Sequence, residues 1–247
     1  MAFTLILTLF LPIIIWIFFA TKDTSISKPI LFGALGFIVS QVIIRIPIIQ
    51  IAGTFESFVD FSSNYKYLFL LILALSAGLF ETSARLIVLK GLARKSLDYK
   101  ISFWAGYGHG IGEAVILIGL TYINNIVIAG LINLNLLPAL EQMEGIKEVF
   151  LSTPSHMFFA AGIERVLVVF AHIAMTLILS SFILRKKSLL GFFLVVIFHT
   201  VLDFSVIVLN DYFQNIWISL GLLAIFALIS ILYILKTRPS KEVLEKS

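Results

Sequence analysis

Hydrophobic residues in this chain come in long unbroken blocks, without the period-two or amphipathic patterning of soluble strands and helices. A hydrocarbon core of about 30 Å takes roughly 20 residues of helix to cross. Seven blocks qualify: 2–20, 29–52, 66–90, 102–124, 157–184, 188–210 and 216–235. Backbone polar groups cannot go unpaired in lipid, so the blocks are predicted to be helices. The fold class is therefore all-α, a polytopic transmembrane bundle of seven spans forming a single domain over 1–247. The first block lacks a basic lead-in, and Phe18-Phe19-Ala20 is a poor cleavage site, so it reads as a retained span. Residues 125–155 form the one sizeable outer loop. Its apolar start, 126–137, is expected to lie on the membrane surface or dip back before Pro138 breaks it.

Basic residues fix the orientation. The loops after spans one, three and five carry Lys22 and Lys28; Lys90, Arg94, Lys95 and Lys100; and Arg185, Lys186 and Lys187. The tail adds Lys236, Arg238, Lys241 and Lys246, while the alternate loops hold Glu56, Asp60, Glu141, Glu144, Glu148 and Asp211 against only Lys66 and Lys147. Positive residues mark the cytoplasmic side, which puts the N-terminus outside and the C-terminus inside, in a multi-pass protein of the plasma membrane. Composition agrees: 60% hydrophobic, 13% charged, mean hydropathy +1.07. The 23 Phe residues suit a lipid-facing surface rather than a base-stacking one, so nucleic acid is not an expected partner. With no cysteine, disulfides, thiolate metal sites and a Cys nucleophile are excluded. Nothing in the pattern specifies an oligomeric state.

Ionisable residues inside the spans are the informative exceptions. They are Arg45; Glu81 and Arg85; His109 and Glu113; Glu164, Arg165 and His172; and His199 and Asp203. Each costs on the order of 2.5–3.5 kcal/mol if it faces lipid, so they must pair inside the bundle. Glu81/Arg85, His109/Glu113 and His199/Asp203 are spaced i,i+4 and share a helix face. Counted at about 1.5 Å per residue from the inner ends, Glu81, Glu113, His172 and His199 reach a common depth near the midplane. Spans one and seven carry none of these groups and are expected to be peripheral. Arg45 is read as a structural tie between helices, and His156 as interfacial. Gly106, Gly108, Gly110 and Gly112 surround His109, and the Gly108/Gly112 stripe would let a neighbouring backbone or a substrate approach.

A carboxylate and an imidazole in a dry site can serve as base and acid, and a buried Arg or His can stabilise an oxyanion. The set lacks a Ser-His-Asp order, so water activation fits better than acyl-enzyme chemistry. Zinc held by His109, His172 and His199 is the metal alternative; no H-E-x-x-H helix is present, so the pattern permits zinc without requiring a cofactor. Proton relays also use Glu, His and Asp chains, which keeps a proton-coupled transporter open, and a non-catalytic membrane scaffold is the third class.

These residues resemble a known family. Glu81-Thr-Ser-Ala-Arg85, Gly108-His109-Gly110-Ile111-Gly112-Glu113, Glu164-Arg165 with His172, and His199-Thr-Val-Leu-Asp203 are similar to the YhfC family of intramembrane proteases. That family is grouped with type II CAAX prenyl proteases, PrsW proteases and the scaffold subunit of γ-secretase. The resemblance implies a glutamic-type endopeptidase acting on membrane-embedded or membrane-anchored proteins or peptides in the bilayer. Glu81 would activate water with Arg85 beside it, and His199 and Asp203 would complete the site. The wider group has a second Glu where Thr82 stands and a Phe where His109 stands, so Glu81 and Glu113 both remain candidates for the activating carboxylate. His109 and His172 join the catalytic set, and Glu164 and Arg165 support it.

Overall fold

A computed structural model describes residues 1–92, 97–134 and 144–239. Arg94, Lys95, Pro138, Glu141, Lys241 and Lys246, used above for topology, lie outside these residues. Every regular element among the described residues is helical. Seven helices are long and apolar enough to span a membrane: Ala2–Ala20, Thr24–Ala52, Lys66–Leu92, Tyr99–Asn133, Ser155–Leu184, Ser188–Phe213 and Ile216–Thr237. They are called spans one to seven.

Local chemistry sets the ends. Asp23 opens span two by accepting the Ser25 N–H, and Asp98 opens span four by accepting the Ile101 N–H at 2.7 Å. Asn215 does the same for Trp217 at 3.0 Å, straight after Gln214 stops span six in the left-handed region (φ 49°). Two features differ from expectation. A short helix, Glu56–Asn64, joins spans two and three. Span four runs on to Asn133 instead of ending at 124, so the start of the expected outer loop continues the helix. The asparagines among its apolar residues break hydropathy without breaking the helix.

Span five is the hub. Its apolar stretch is 56% buried, where no other span passes 28%. Its residues Val168, Ala171, Met175 and Leu179 pack with Leu89, Val195, Leu202 and Leu223, while Ile173, Ala174 and Leu177 pack with Ile26, Ile30, Tyr107 and Ile111. Span seven is less peripheral than its lack of ionisable groups suggested, because Leu220, Leu223 and Ala227 are buried.

The glycines of span four explain its position. A Cβ on Gly108 would lie 2.1 Å from the Ile30 carbonyl oxygen, and one on Gly112 would lie 3.0 Å from the Ala34 Cα, both on span two. On the other side, Gly106 meets the Ile173 Cα at 2.8 Å and Gly110 meets the Val169 Cα at 3.1 Å, both on span five. Of the two occupants expected there, a neighbouring backbone or a substrate, it is neighbouring backbone that approaches: spans two and five fill both faces. Ser102, whose hydroxyl donates to the Asp98 carbonyl, reinforces the second contact by accepting from Ser180, 2.6 Å away.

Arg45 holds spans two and three together, as expected of a structural tie. Its Nε donates to Ser76 Oγ (2.9 Å), Nη1 to Gln41 Oε1 (3.0 Å) and Nη2 to the Leu73 carbonyl (2.7 Å). Arg45→Ala removes three charge-assisted bonds and is expected to cost about 2–4 kcal/mol. The check is the thermal midpoint of the solubilised protein, with activity per folded molecule unchanged within twofold.

Candidate active site

Spans three to six deliver their ionisable side chains to one buried cluster. Glu81 is its centre. Its Oε2 lies 3.0 Å from His109 Nε2, 3.2 Å from Arg85 Nη2, 3.6 Å from His199 Nε2 and 3.9 Å from His172 Nδ1. No hydrogen bond among the described residues reaches its other oxygen, Oε1, although Glu81 lines a cavity.

Glu113 is differently placed. Its Oε1 accepts from Arg165, and its Oε2 lies 2.6 Å from His172 Nε2. Both of its oxygens are committed. The protonation of His172 follows from its partners. Arg85 Nη2, which can only donate, contacts His172 Nδ1, so Nδ1 accepts and the proton sits on Nε2, facing Glu113. Arg165 also pairs with Glu164, making Glu164–Arg165–Glu113–His172 a continuous chain. Asp203 Oδ2 lies 3.6 Å from His199 Nε2, whereas His199 Nδ1 is buried without a partner among the described residues. All nine residues singled out from the sequence thus meet or adjoin one cluster; Arg45 stands apart.

Sequence reasoning missed the backing on span two. Phe37 is buried with its ring edge-on to His109, centroids 5.5 Å apart, and Gly33, one turn earlier, lets the span-four backbone approach. Their i,i+4 spacing was the only signal available.

The cluster opens into a cavity of about 200 Å³, lined by Glu81, Glu113, His172, His199, Asp203 and Glu164 with apolar walls that include Met175, Leu202 and Leu223. That space is large enough for several waters. Glu81, His109 and His172 each offer a ligand atom within 4.8 Å of the others. At zinc–ligand distances of about 2.0–2.2 Å, tetrahedral ligand atoms lie roughly 3.3–3.6 Å apart, so this donor set would hold a metal ion after side-chain shifts of about 1 Å. It differs from the three histidines considered above, since Glu81 takes the place of His199. Arg85 Nη2 lies against two of the three donors, so the guanidinium sits where a cation would. Its Nε and Nη1 are buried without hydrogen-bond partners among the described residues.

The comparisons agree with this architecture. A sequence model of the family described as YhfC intramembrane metalloprotease matches residues 7–227. The chain belongs to the YhfC family. A Bacillus subtilis (strain 168) relative named "Uncharacterized membrane protein YhfC" is 28% identical over 122 residues. That match covers 47% of this chain and 47% of the YhfC relative. No solved structure matches the chain.

Proposed function

We propose that this YhfC-family protein is an intramembrane endopeptidase that hydrolyses peptide bonds of membrane-embedded or membrane-anchored substrates with an activated water. The observation that carries the reading is the meeting of Glu81, His109, His172 and His199 from four spans beside a small polar cavity. Structure alone needs no such cluster, whose groups are costly to bury.

Glu81 is the functional carboxylate of this reading, because its Oε1 is uncommitted while Glu113 spends both oxygens on Arg165 and His172. Zinc bound by Glu81, His109 and His172 would bring the pKa of a bound water to near 7, in keeping with the family's description. Glu113 accepts the His172 Nε2–H and so keeps Nδ1 free to act as an acceptor. His199, beside both Glu81 and Asp203, is placed to pass a proton to the leaving amine. Arg85, freed from Glu81, would present its N–H groups to a developing oxyanion.

The experiment is cleavage of a membrane-anchored reporter by purified protein in nanodiscs, with metal content measured by atomic emission. About one zinc per chain, loss of cleavage on chelation and recovery on zinc addition are expected. Cleavage that is indifferent to chelator yet lost in Glu81→Gln would assign water activation to Glu81 without a metal. Cleavage surviving Glu81→Gln together with His172→Ala would end the proposal.

A further inference from the structure

A second cavity, larger than the polar one, lies elsewhere among the described residues. A groove of about 560 Å³ runs between spans one, four and five and the end of span seven. Its walls are aromatic and aliphatic: Phe103, Trp104 and Tyr107 from span four, Val169 and Ile173 from span five, and Leu11 from span one. At one end lie Lys100 and Arg238, on the side expected to face the cytoplasm; at the other lies Arg165.

The walls select the occupant. Span four lines the groove from Tyr99 to Ala114, about 22 Å at about 1.5 Å per residue. An α-helix of that length, about 10–12 Å across with its side chains, fills roughly 1,700–2,500 Å³, more than the groove's empty space. An extended polypeptide would leave its backbone N–H and C=O groups unpaired against apolar helical walls, which lipid surroundings do not tolerate. A hydrocarbon chain carries no such groups. Charge selects the headgroup. Lys100 pairs with Asp23, whose carboxyl that ammonium holds below the usual range, and Arg238 adds a further positive charge at the mouth. With Lys22 next to Asp23, cations outnumber anions there. Tyr99 and Trp104 stand on the same wall, residue types that suit the headgroup boundary.

We infer that this groove binds an anionic phospholipid of the adjoining leaflet, with one acyl chain between spans one, four and five and the phosphate at Lys100 and Arg238. Arg165 closes the far end and also lines the polar cavity, where it pairs with Glu113. The lipid chain therefore ends against the residue that holds the supporting carboxylate of the site. It also occupies the apolar route a substrate would otherwise share, leaving access to the side of Glu164, Asp203, Val206 and Ile207.

The test is photolabelling of the full-length protein in nanodiscs with phosphatidylglycerol carrying a diazirine near the acyl-chain end, mapped by peptide mass spectrometry. Label is expected on span four between Phe103 and Ala114 and on span five between Arg165 and Ile173. The phosphatidylcholine analogue should label these segments about fivefold less, and Lys100→Gln with Arg238→Gln should erase that difference. Val169→Trp, which fills the groove, should remove the label while leaving that on outward faces. Wild-type label confined to the outward faces of spans one and seven, or equal labelling by both lipids, overturns the inference, whether or not Val169→Trp folds. Glu81→Gln should label as wild type does, so the result stands apart from the protease assignment.

Discussion

Glu81→Gln is expected to lower cleavage of a membrane-anchored reporter about 10³-fold, and Glu113→Gln only about 10- to 100-fold. The reasoning is geometric. Glu81 Oε2 gathers Arg85, His109, His172 and His199 within 3.9 Å, yet Oε1 has no hydrogen-bond partner among the described residues and belongs to a side chain on the cavity wall. A neutral amide there can neither take a proton from water nor neutralise a bound cation. Glu113 acts through others. It fixes the His172 tautomer and anchors Arg165, and the amide oxygen of Gln can still accept one of those bonds. Both variants leave Arg85 or Arg165 with weaker compensation, so each activity should be divided by the folded fraction measured by size-exclusion chromatography. The reverse order, with Glu113→Gln the more damaging, would move water activation to Glu113.

The second large effect is on assembly. Gly108→Ala should destabilise the bundle by at least about 3 kcal/mol, because its Cβ would sit 2.1 Å from the Ile30 carbonyl oxygen and 2.6 Å from the Ile30 Cα. Both are backbone atoms, so no rotamer relieves the clash and spans two and four must separate. Gly130→Ala on the same helix is the control: nothing lies within 4 Å of its added Cβ, and replacing Gly in a helix gains up to about 1 kcal/mol. The two variants should shift the thermal midpoint in opposite directions. A Gly108→Ala protein as stable as wild type would mean that spans two and four do not meet as described.

Much of this architecture is written in hydropathy, because lipid admits so few backbone solutions. All seven spans are recognisable as apolar blocks, and their observed ends differ by only a few residues except on span four. The cluster was legible for the same reason: an ionisable residue has few tolerable places in a membrane helix, so Glu81, His109, His172 and His199 had to face inward together. What one sequence cannot show is which neighbour covers which face. Gly108 and Gly112 announce a close approach but not that span two makes it. Nor does composition reveal that Glu113 spends both oxygens while Glu81 keeps one back. Such facts depend on rotamers and on pairs far apart in the chain, such as Glu113 with Arg165.

Span four has one more consequence. Its 35 residues make a rod of about 52 Å, against a hydrocarbon thickness of about 30 Å. Even at 40° of tilt, the steep end of the observed range, the rod rises about 40 Å along the membrane normal. The end bearing Asn133 therefore stands as a post above the lipid tails. That end thus reaches through the headgroup layer, which brings the full bilayer to about 40–45 Å.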